Sequence, residues 1–384
     1  MMSARFFIWK SKISIEFWMV LFLFMMGALL RLYRLEGPHL PGLWVDTMSA
    51  DTRILVNQSF LDMIRHLMHL QFPPLYYVIL NLWVKAFGNS EWVLKLPSAI
   101  FSSLTIIVIY KLGKELFGKN VGLISALLLV FSPFAIDYAH NAKMYALFWL
   151  LTAGSFLFFF RFIKDQKAGS GILYTLVSIL CCYTMYTGFL LLAAQNVIFL
   201  LFGEKAYRRK WFLVQMIIIL CLSPWVISFL CSTHEPFRLR AWDSAFNYFT
   251  FFLNALSSII GGSHDGFGKV MCCLYIFLIT YLLIDVLAVF YENKTITNFP
   301  LMKYFSLLIW VIIPVLIYFI FDYVLIRAHL ADRYIGFLQF PLILLASSQI
   351  DRFHGIVQKA LLGAMVVVAM GNTYIWFNHY LMLS

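Results

Sequence analysis

The sequence predicts an all-α polytopic membrane protein, a bundle of about eleven transmembrane helices with shorter helices lying on its outer face. Three observations predict it. Hydrophobic residues make up 62% of the 384 and charged residues 12%, whereas soluble domains run near ~45–50% and ~25%. The apolar residues gather in runs approaching or exceeding the ~20 needed to cross a bilayer. The Lys and Arg, which give a formal net charge of +11, fall in short clusters between those runs. That arrangement sets membrane topology and is unlike the continuous basic face that binds nucleic acid, so a nucleic-acid partner is excluded.

Taken in order, the first apolar run, residues 13–32, follows Arg5, Lys10 and Lys12 and has no small-residue cleavage site behind it. It is expected to be a retained span whose N-terminal end is cytoplasmic. The chain then leaves the membrane as RLYRLEGPHLPGLWVDTMSAD, residues 31–51. This stretch delivers Asp46 and Asp51 to the outer face beside Trp44, an aromatic suited to the interface. Residues 51–70 set Ile54, Leu55, Leu61, Ile64, Leu67 and Met68 against Asp51, Arg53, Asp62, Arg65 and His66, the spacing of a helix lying in the interface plane.

Pro73 and Pro74 open PPLYYVILNLWVKAF, about 15 residues against the ~20 of a span. Charge decides its placement. If the segment lies flat, Lys111, Lys114 and Lys119 are cytoplasmic, and so are Arg161/Lys164/Lys167, Lys205/Arg208/Arg209/Lys210, Lys294/Lys303 and Arg352/Lys359; if it crosses, every cluster inverts. Residues 73–87 are therefore expected as a second juxtamembrane helix. Further spans are expected over 92–112, 121–139, 145–163, 172–186, 187–202, 211–231, 270–290, 304–321, 334–350 and 355–377. The chain thus divides into a transmembrane module 1–231 with a first outer loop 34–91, an outer loop 232–269, and C-terminal spans 270–384. Cys181, Cys182, Cys221, Cys231, Cys272 and Cys273 lie in or beside apolar runs without metal-ligand spacing and read as small buried side chains.

This topology leaves many cations on the outer side, among them Arg31, Arg34, Lys95, Lys143, Lys269 and Arg333. Orientation rules do not favour so many, which points to an anionic ligand there, alongside ordinary pairing and lipid contacts. Lys143 and Arg333 each stand at the outer end of a span. Lys acts there as a point charge and Arg as a bidentate donor toward phosphate; the plain alternative is snorkelling to headgroups. Arg31 reads as an interfacial anchor before a ligand. Tyr76 and Tyr77 read either as an acceptor groove or as an aromatic belt. Glu16 and Asp285 are acids in or beside apolar runs. His264 and Asp265, within the glycine-rich 261–268, are the weak candidates for metal ligands and more simply a flexible loop.

Several stretches together carry a family resemblance: RLYRL…LWVD (31–46), FPPLYYVILNLWVKAFGNSEWVLKLPSAIFSSLTIIVIYKLGKELFG (72–118), SPFAIDYAHNAKMYAL (132–147), YTMYTGFLLLAAQN (183–196), RRKWFLVQ…LSPW (208–225) and DRYIGFLQFPLILLAS (332–347). In this order they resemble the family 39-type, lipid-dependent glycosyltransferases of the GT-C class, which include protein O-mannosyltransferases and the aminoarabinose transferases of lipid A. PPLYY followed by FG-x-SE and K/R-LPSA is the specific part, and the resemblance covers about the first 225 residues plus one late segment.

The resemblance implies that the 1–231 module is catalytic. It implies sugar transfer from a polyprenyl-phosphate donor to a lipid or glycan acceptor at the outer face of a membrane, expected to be the periplasmic face of a bacterial inner membrane. It makes Asp46 the catalytic acid residue of a W-x-D-E motif, here Trp44-Val45-Asp46-Thr47. In inverting transfer such a carboxylate takes the acceptor hydroxyl proton. Lys143 and Arg333 would then hold the donor phosphate, whose charge grows in the transition state.

Four positions depart from the family pattern. Thr47 replaces the neighbouring Glu, Asn141 and Lys143 replace the acid and Arg of S-x-E-A-R-x-Y, and Met185 replaces a common His. Asp51, Asp137, His140, Asn141, Tyr145, Tyr334 and Arg31 remain as supporting candidates, and the loss of acidic positions argues against a required divalent metal. Two rival readings stand: a catalytically altered relative that binds lipid-linked sugar or scaffolds polysaccharide assembly, and a transporter or flippase. The latter is disfavoured because the polar residues gather at one face rather than in two related halves with interrupted midplane helices.

Overall fold

The helical pattern is realised throughout the described residues. The computed structural model describes residues 14–35, 50–70, 72–231, 245–261, 266–293, 299–320 and 332–382, and within them every regular element is a helix. α1 (Ile15–Leu32) starts where the Ser14 hydroxyl oxygen accepts from the Phe17 amide at 3.2 Å, meeting one of the free N–H groups of a helix start. The expected single interfacial helix is two: α2 (Ala50–Asn57) and α3 (Phe60–Leu70). The division falls at Ser59, whose hydroxyl accepts from the Asp62 amide at 3.3 Å and donates to its carboxylate at 2.6 Å, starting a new helix.

α4 (Leu75–Phe87) has 13 residues and ends at Gly88, whose φ of 91° stops the helix in a conformation that favours glycine. It is too short to span. α2, α3 and α4 instead share a small apolar core of Leu55, Val56, Met63, Leu67, Leu80 and Val84, closed by Ala142 and Leu147 from farther along the chain. The Asn81 amide at its centre donates to the carbonyls of Val56 (2.9 Å) and Gln58 (3.2 Å), tying α4 to the end of α2.

α5 (Glu91–Phe117) runs from that end of the molecule to the other and is the main post of the bundle. At its start Lys95 pairs with Glu91 at 2.5 Å and donates to the Leu35 carbonyl at 3.2 Å. At its far end Glu115 accepts from Lys164 (2.7 Å) and Arg161 (3.3 Å), and Glu16 from Lys114 and Tyr110. Glu16 is thus an ion-pair partner at a helix end. The short α4 and the Lys111–Lys119 cluster therefore lie at opposite ends of α5.

After α5 the chain turns back as α6 (Lys119–Val130), crossing so closely that a Cβ on Gly113 would sit 2.9 Å from the Gly122 Cα. The span expected over 121–139 is not continuous. It breaks before α7 (Pro133–Ala139), which bends 60° away from α6. Pro133 has no N–H to continue the ladder and disfavours helical backbone at Ser132; Ser132 instead caps α7, its hydroxyl accepting from the Ala135 amide at 3.2 Å.

α8 (Tyr145–Asp165), α9 (Ala168–Thr184), α10 (Gly188–Phe202) and α11 (Arg208–Cys231) complete the first part. α12 (Ala245–Gly261), α13 (Gly266–Asn293), α14 (Phe299–Phe319), the short α15 (Asp332–Ile335), α16 (Gln339–Arg352) and α17 (Gly355–Met382) follow. Six described helices are long and apolar enough to cross a membrane, or seven if the bent α6–α7 pair is one span; α9 and α10 are apolar but shorter. The expected total of about eleven counted such shorter helices as full spans.

One core runs through α1 and α5 to α17. Its tightest contact stacks Phe156 of α8 on Trp310 of α14, with ring centroids 3.5 Å apart. Inside it, α8 to α11 are joined by neutral polar groups. Gln195 donates to Ser155 (2.9 Å) and accepts from Tyr174 (3.0 Å), and Ser155 bonds Ser178 (2.9 Å). Gln215 donates to Tyr174 (3.2 Å), Asn196 to Gln215 (3.2 Å), and Trp211 to Asn196 (2.9 Å).

Candidate functional site

The α6–α7 break leaves carbonyls without helical partners, and side chains from distant segments meet them. Arg31 of α1 donates to the carbonyls of Leu129 (3.0 Å), Val130 (3.3 Å) and Gly27 (3.1 Å) and to the Ser102 hydroxyl (2.7 Å). Ser102 in turn donates to the Ala135 carbonyl in α7 (3.1 Å), and Thr373 of α17 donates to the Phe131 carbonyl (3.0 Å). Arg31 is fully buried. It is neither an interfacial anchor nor exposed to a ligand; it holds the break, and through it the turn that follows.

That turn carries the sequence candidates of the second outer loop. Asn141 donates its side-chain amide to the Asp137 carbonyl (3.2 Å), and the His140 amide does the same (3.0 Å), closing α7. Asn141 is buried and its amide is committed to backbone, so the residue at the family's acidic position here builds the turn. His140 is buried with its ring edge-on to Trp376, and Tyr145 is buried edge-on to Tyr138. Asp137 and Lys143 are half-buried. Ser98 of α5 donates to the Lys143 carbonyl at 3.4 Å and bonds the Tyr76 hydroxyl at 3.0 Å, so α4, α5 and the turn are fixed to one another.

Arg333 and Tyr334 are brought to the same region by α15 and the 3-10 turn Gly336–Leu338. A Cβ on Gly336 would lie 2.4 Å from the Trp149 ring and 2.7 Å from the Phe134 ring, so only glycine lets this turn seat between α7 and α8. The Ser132 hydroxyl donates to Gln339 at 3.4 Å across the same joint. Arg333 is half-buried, its guanidinium 5.3 Å from the centroid of the Tyr334 ring. The structure thus joins the segments bearing Lys143 and Arg333, nearly two hundred residues apart in the chain.

Other candidates fall elsewhere. Tyr76 and Tyr77 are buried, at 0% and 2% exposure, in the core under α2 and α3 and do not line an open groove. Burial pushes the Tyr76 hydroxyl above its ordinary pKa, so it stays neutral. Lys95, counted as an outward cation, is buried against Glu91 and the Leu35 carbonyl. Asp46, Trp44, Thr47, His264 and Asp265 lie outside the described residues, as does the side chain of Asp51, whose backbone belongs to α2. Sequence reasoning passed over Ser98, Ser102, Gly336, Gln339 and Thr373. A signal existed for the first two: Lys95, Ser98 and Ser102 recur at helical spacing within an apolar run, a polar stripe that must meet partners.

No group of three or more His, Cys, Asp or Glu able to hold a metal ion occurs among the described residues.

Residues 71–228 match the family described as dolichyl-phosphate-mannose-protein mannosyltransferase. The fold is similar to ArnT from Cupriavidus metallidurans in the apo state, with a TM-score of 0.63 at 15% identity over 89% of this chain and 61% of that one. The same protein bound to undecaprenyl phosphate gives 0.62 at 16% identity over 92% and 64%. The archaeal oligosaccharyltransferase AglB from Archaeoglobus fulgidus, in complex with an inhibitory peptide and a dolichol-phosphate, gives 0.56 at 13% identity over 94% and 55%. The chain spans about three fifths of the length of the ArnT chains it matches. No curated protein matches it by sequence. The fold is that of the GT-C membrane glycosyltransferases. The family match covers 71–228, less than half of the chain.

Proposed function

We propose that the protein is a glycosyltransferase that moves one hexosyl or pentosyl unit from a polyprenyl-phosphate donor to a hydroxyl of a lipid or glycan acceptor. Asp46 takes the proton of the acceptor hydroxyl. The acceptor oxygen bonds to the anomeric carbon as the carbon–oxygen bond to phosphate breaks, with inversion, and the polyprenyl phosphate leaves with the bonding pair. Lys143 and Arg333 hold that phosphate as its charge grows, stabilising the transition state more than the bound donor.

The observation that carries this reading is the seating of the Arg333 segment on the turn bearing Lys143, through Gly336 against Phe134 and Trp149 and through the Ser132–Gln339 bond. Two half-buried cations on joined segments, at the end of the molecule that also carries α2–α4, suit a doubly charged lipid phosphate. The family match and the lipid-phosphate complexes of the two similar folds support that substrate class. The basic clusters at the far end support a cytoplasmic placement of that end, and with it a site facing the periplasm of a bacterial inner membrane.

Asp46→Asn is expected to abolish transfer from radiolabelled polyprenyl-phosphate sugar while the protein accumulates normally in membranes. Wild-type rates in that variant would refute the assignment. The product anomer relative to the donor tests inversion. The second reading, a catalytically altered relative that binds lipid-linked sugar, is favoured by Thr47, Met185 and the committed Asn141 amide. Complementation of a deletion strain by Asp46→Ala would establish it in place of the enzyme.

A further inference from the structure

At the end of the bundle opposite α2–α4, a groove of about 510 Å³ opens between α9 and α11. Its walls are Ile172, Leu176, Leu213 and Ile217, all exposed outward, and its floor is Phe162. The walls are rigidly spaced, because behind them Gln215 of α11 donates to the Tyr174 hydroxyl of α9 at 3.2 Å. The size falls within the ~300–1,000 Å³ of ligand sites, and the apolar trough suits a hydrocarbon chain lying along the helices.

The end of the groove is polar in a particular way. Lys210 and Gln166 line it. Gln166 turns the chain at φ 51°, donates its amide to the Ile163 carbonyl at 2.9 Å, and keeps its side-chain oxygen buried with no hydrogen-bond partner among the described residues. A buried acceptor in such a place calls for a donor. Lys205, Arg208 and Arg209 surround Lys210, all exposed and none in an ion pair with a described residue; the nearby acids are Asp165 and Glu204. A cation, a buried acceptor and an apolar trough in line have the chemistry of an anionic phospholipid: phosphate on Lys210, a headgroup hydroxyl or ammonium donating to Gln166, and an acyl chain between α9 and α11.

We propose that this groove is a binding site for one anionic phospholipid, distinct from the donor site at the other end. The test is native mass spectrometry of delipidated protein, titrated with dioleoyl phosphatidylglycerol and, separately, dioleoyl phosphatidylcholine. One phosphatidylglycerol is expected to bind about fivefold more tightly than phosphatidylcholine, and Lys210→Gln to remove that preference, as expected for one basic side chain at an anionic headgroup. Ile217→Trp, which fills the trough, is expected to weaken both lipids, and Leu176→Trp repeats the test from the other wall should the first variant lose its thermal transition. Lys205→Gln, outside the groove, should leave the preference within twofold. Equal binding of the two lipids, or a preference that survives Lys210→Gln, overturns the proposal. So does competition by inorganic phosphate, which would make the site a simple anion site, or by undecaprenyl phosphate at equal affinity, which would assign the groove to the donor lipid.

Discussion

Two polar regions inside this protein behave differently. Between α8 and α11, Ser155, Ser178, Tyr174, Gln195, Gln215, Asn196 and Trp211 form a chain of hydrogen bonds made only of neutral groups. At the α6–α8 turn the polar residues are mixed: Arg31, Ser102, Asn141 and Thr373 satisfy carbonyls freed by a broken helix, while Asp137, Lys143 and Arg333 remain half-buried at its edge. Neutral donors and acceptors that satisfy one another hold helices together in lipid. Asp137, Lys143 and Arg333 stand half-buried at the rim of a turn whose backbone is held by other side chains. The bundle network is glue, and the turn is scaffold plus site.

Breaking the scaffold should have the largest effect. Arg31→Met leaves the Val130 carbonyl without its side-chain donor, at about 1–3 kcal/mol, while the Leu129 carbonyl keeps the Ser132 amide at 3.3 Å. It is expected to lower Tm by several degrees in detergent and to abolish transfer together with fold stability. Unchanged Tm would show that the break is held without Arg31. Next, Lys143→Met should reduce kcat by ~10²–10³-fold, the usual effect of removing one preorganised charge-stabilising donor, with Tm unchanged. A parallel fall in Tm would move Lys143 from the site to the scaffold. Smallest, Gln195→Leu in the bundle network should destabilise by ~0.6–2 kcal/mol and leave the transfer rate of the folded fraction intact. A selective loss of rate there would erase the contrast between the two regions.

Much of the fold was legible along the chain. The shortness of α4 and the Pro pair before it marked a helix that does not cross, and the basic clusters assigned the two ends of α5. The break was misread although Pro133 was in plain view, because the apolar run continues through it and hydropathy averages over a bend. The site was legible as residue types at span ends, Lys143 and Arg333. Their joining was not, since it depends on Gly336 fitting between two rings that belong to other helices.

Arg31 shows the dividing line most clearly. Composition and the spacing of apolar and basic residues fixed that this chain is a membrane bundle with its candidate cations at one end, because hydrophobic periodicity and charge placement are local properties. Whether a given cation faces a ligand or the interior depends on which backbone carbonyls it meets, and those of Leu129 and Val130 lie 98 and 99 residues away in the chain. Only the packing of α1 and α5 against the broken third span brings donor and acceptors together, so only the tertiary structure decides that this arginine is a structural clamp.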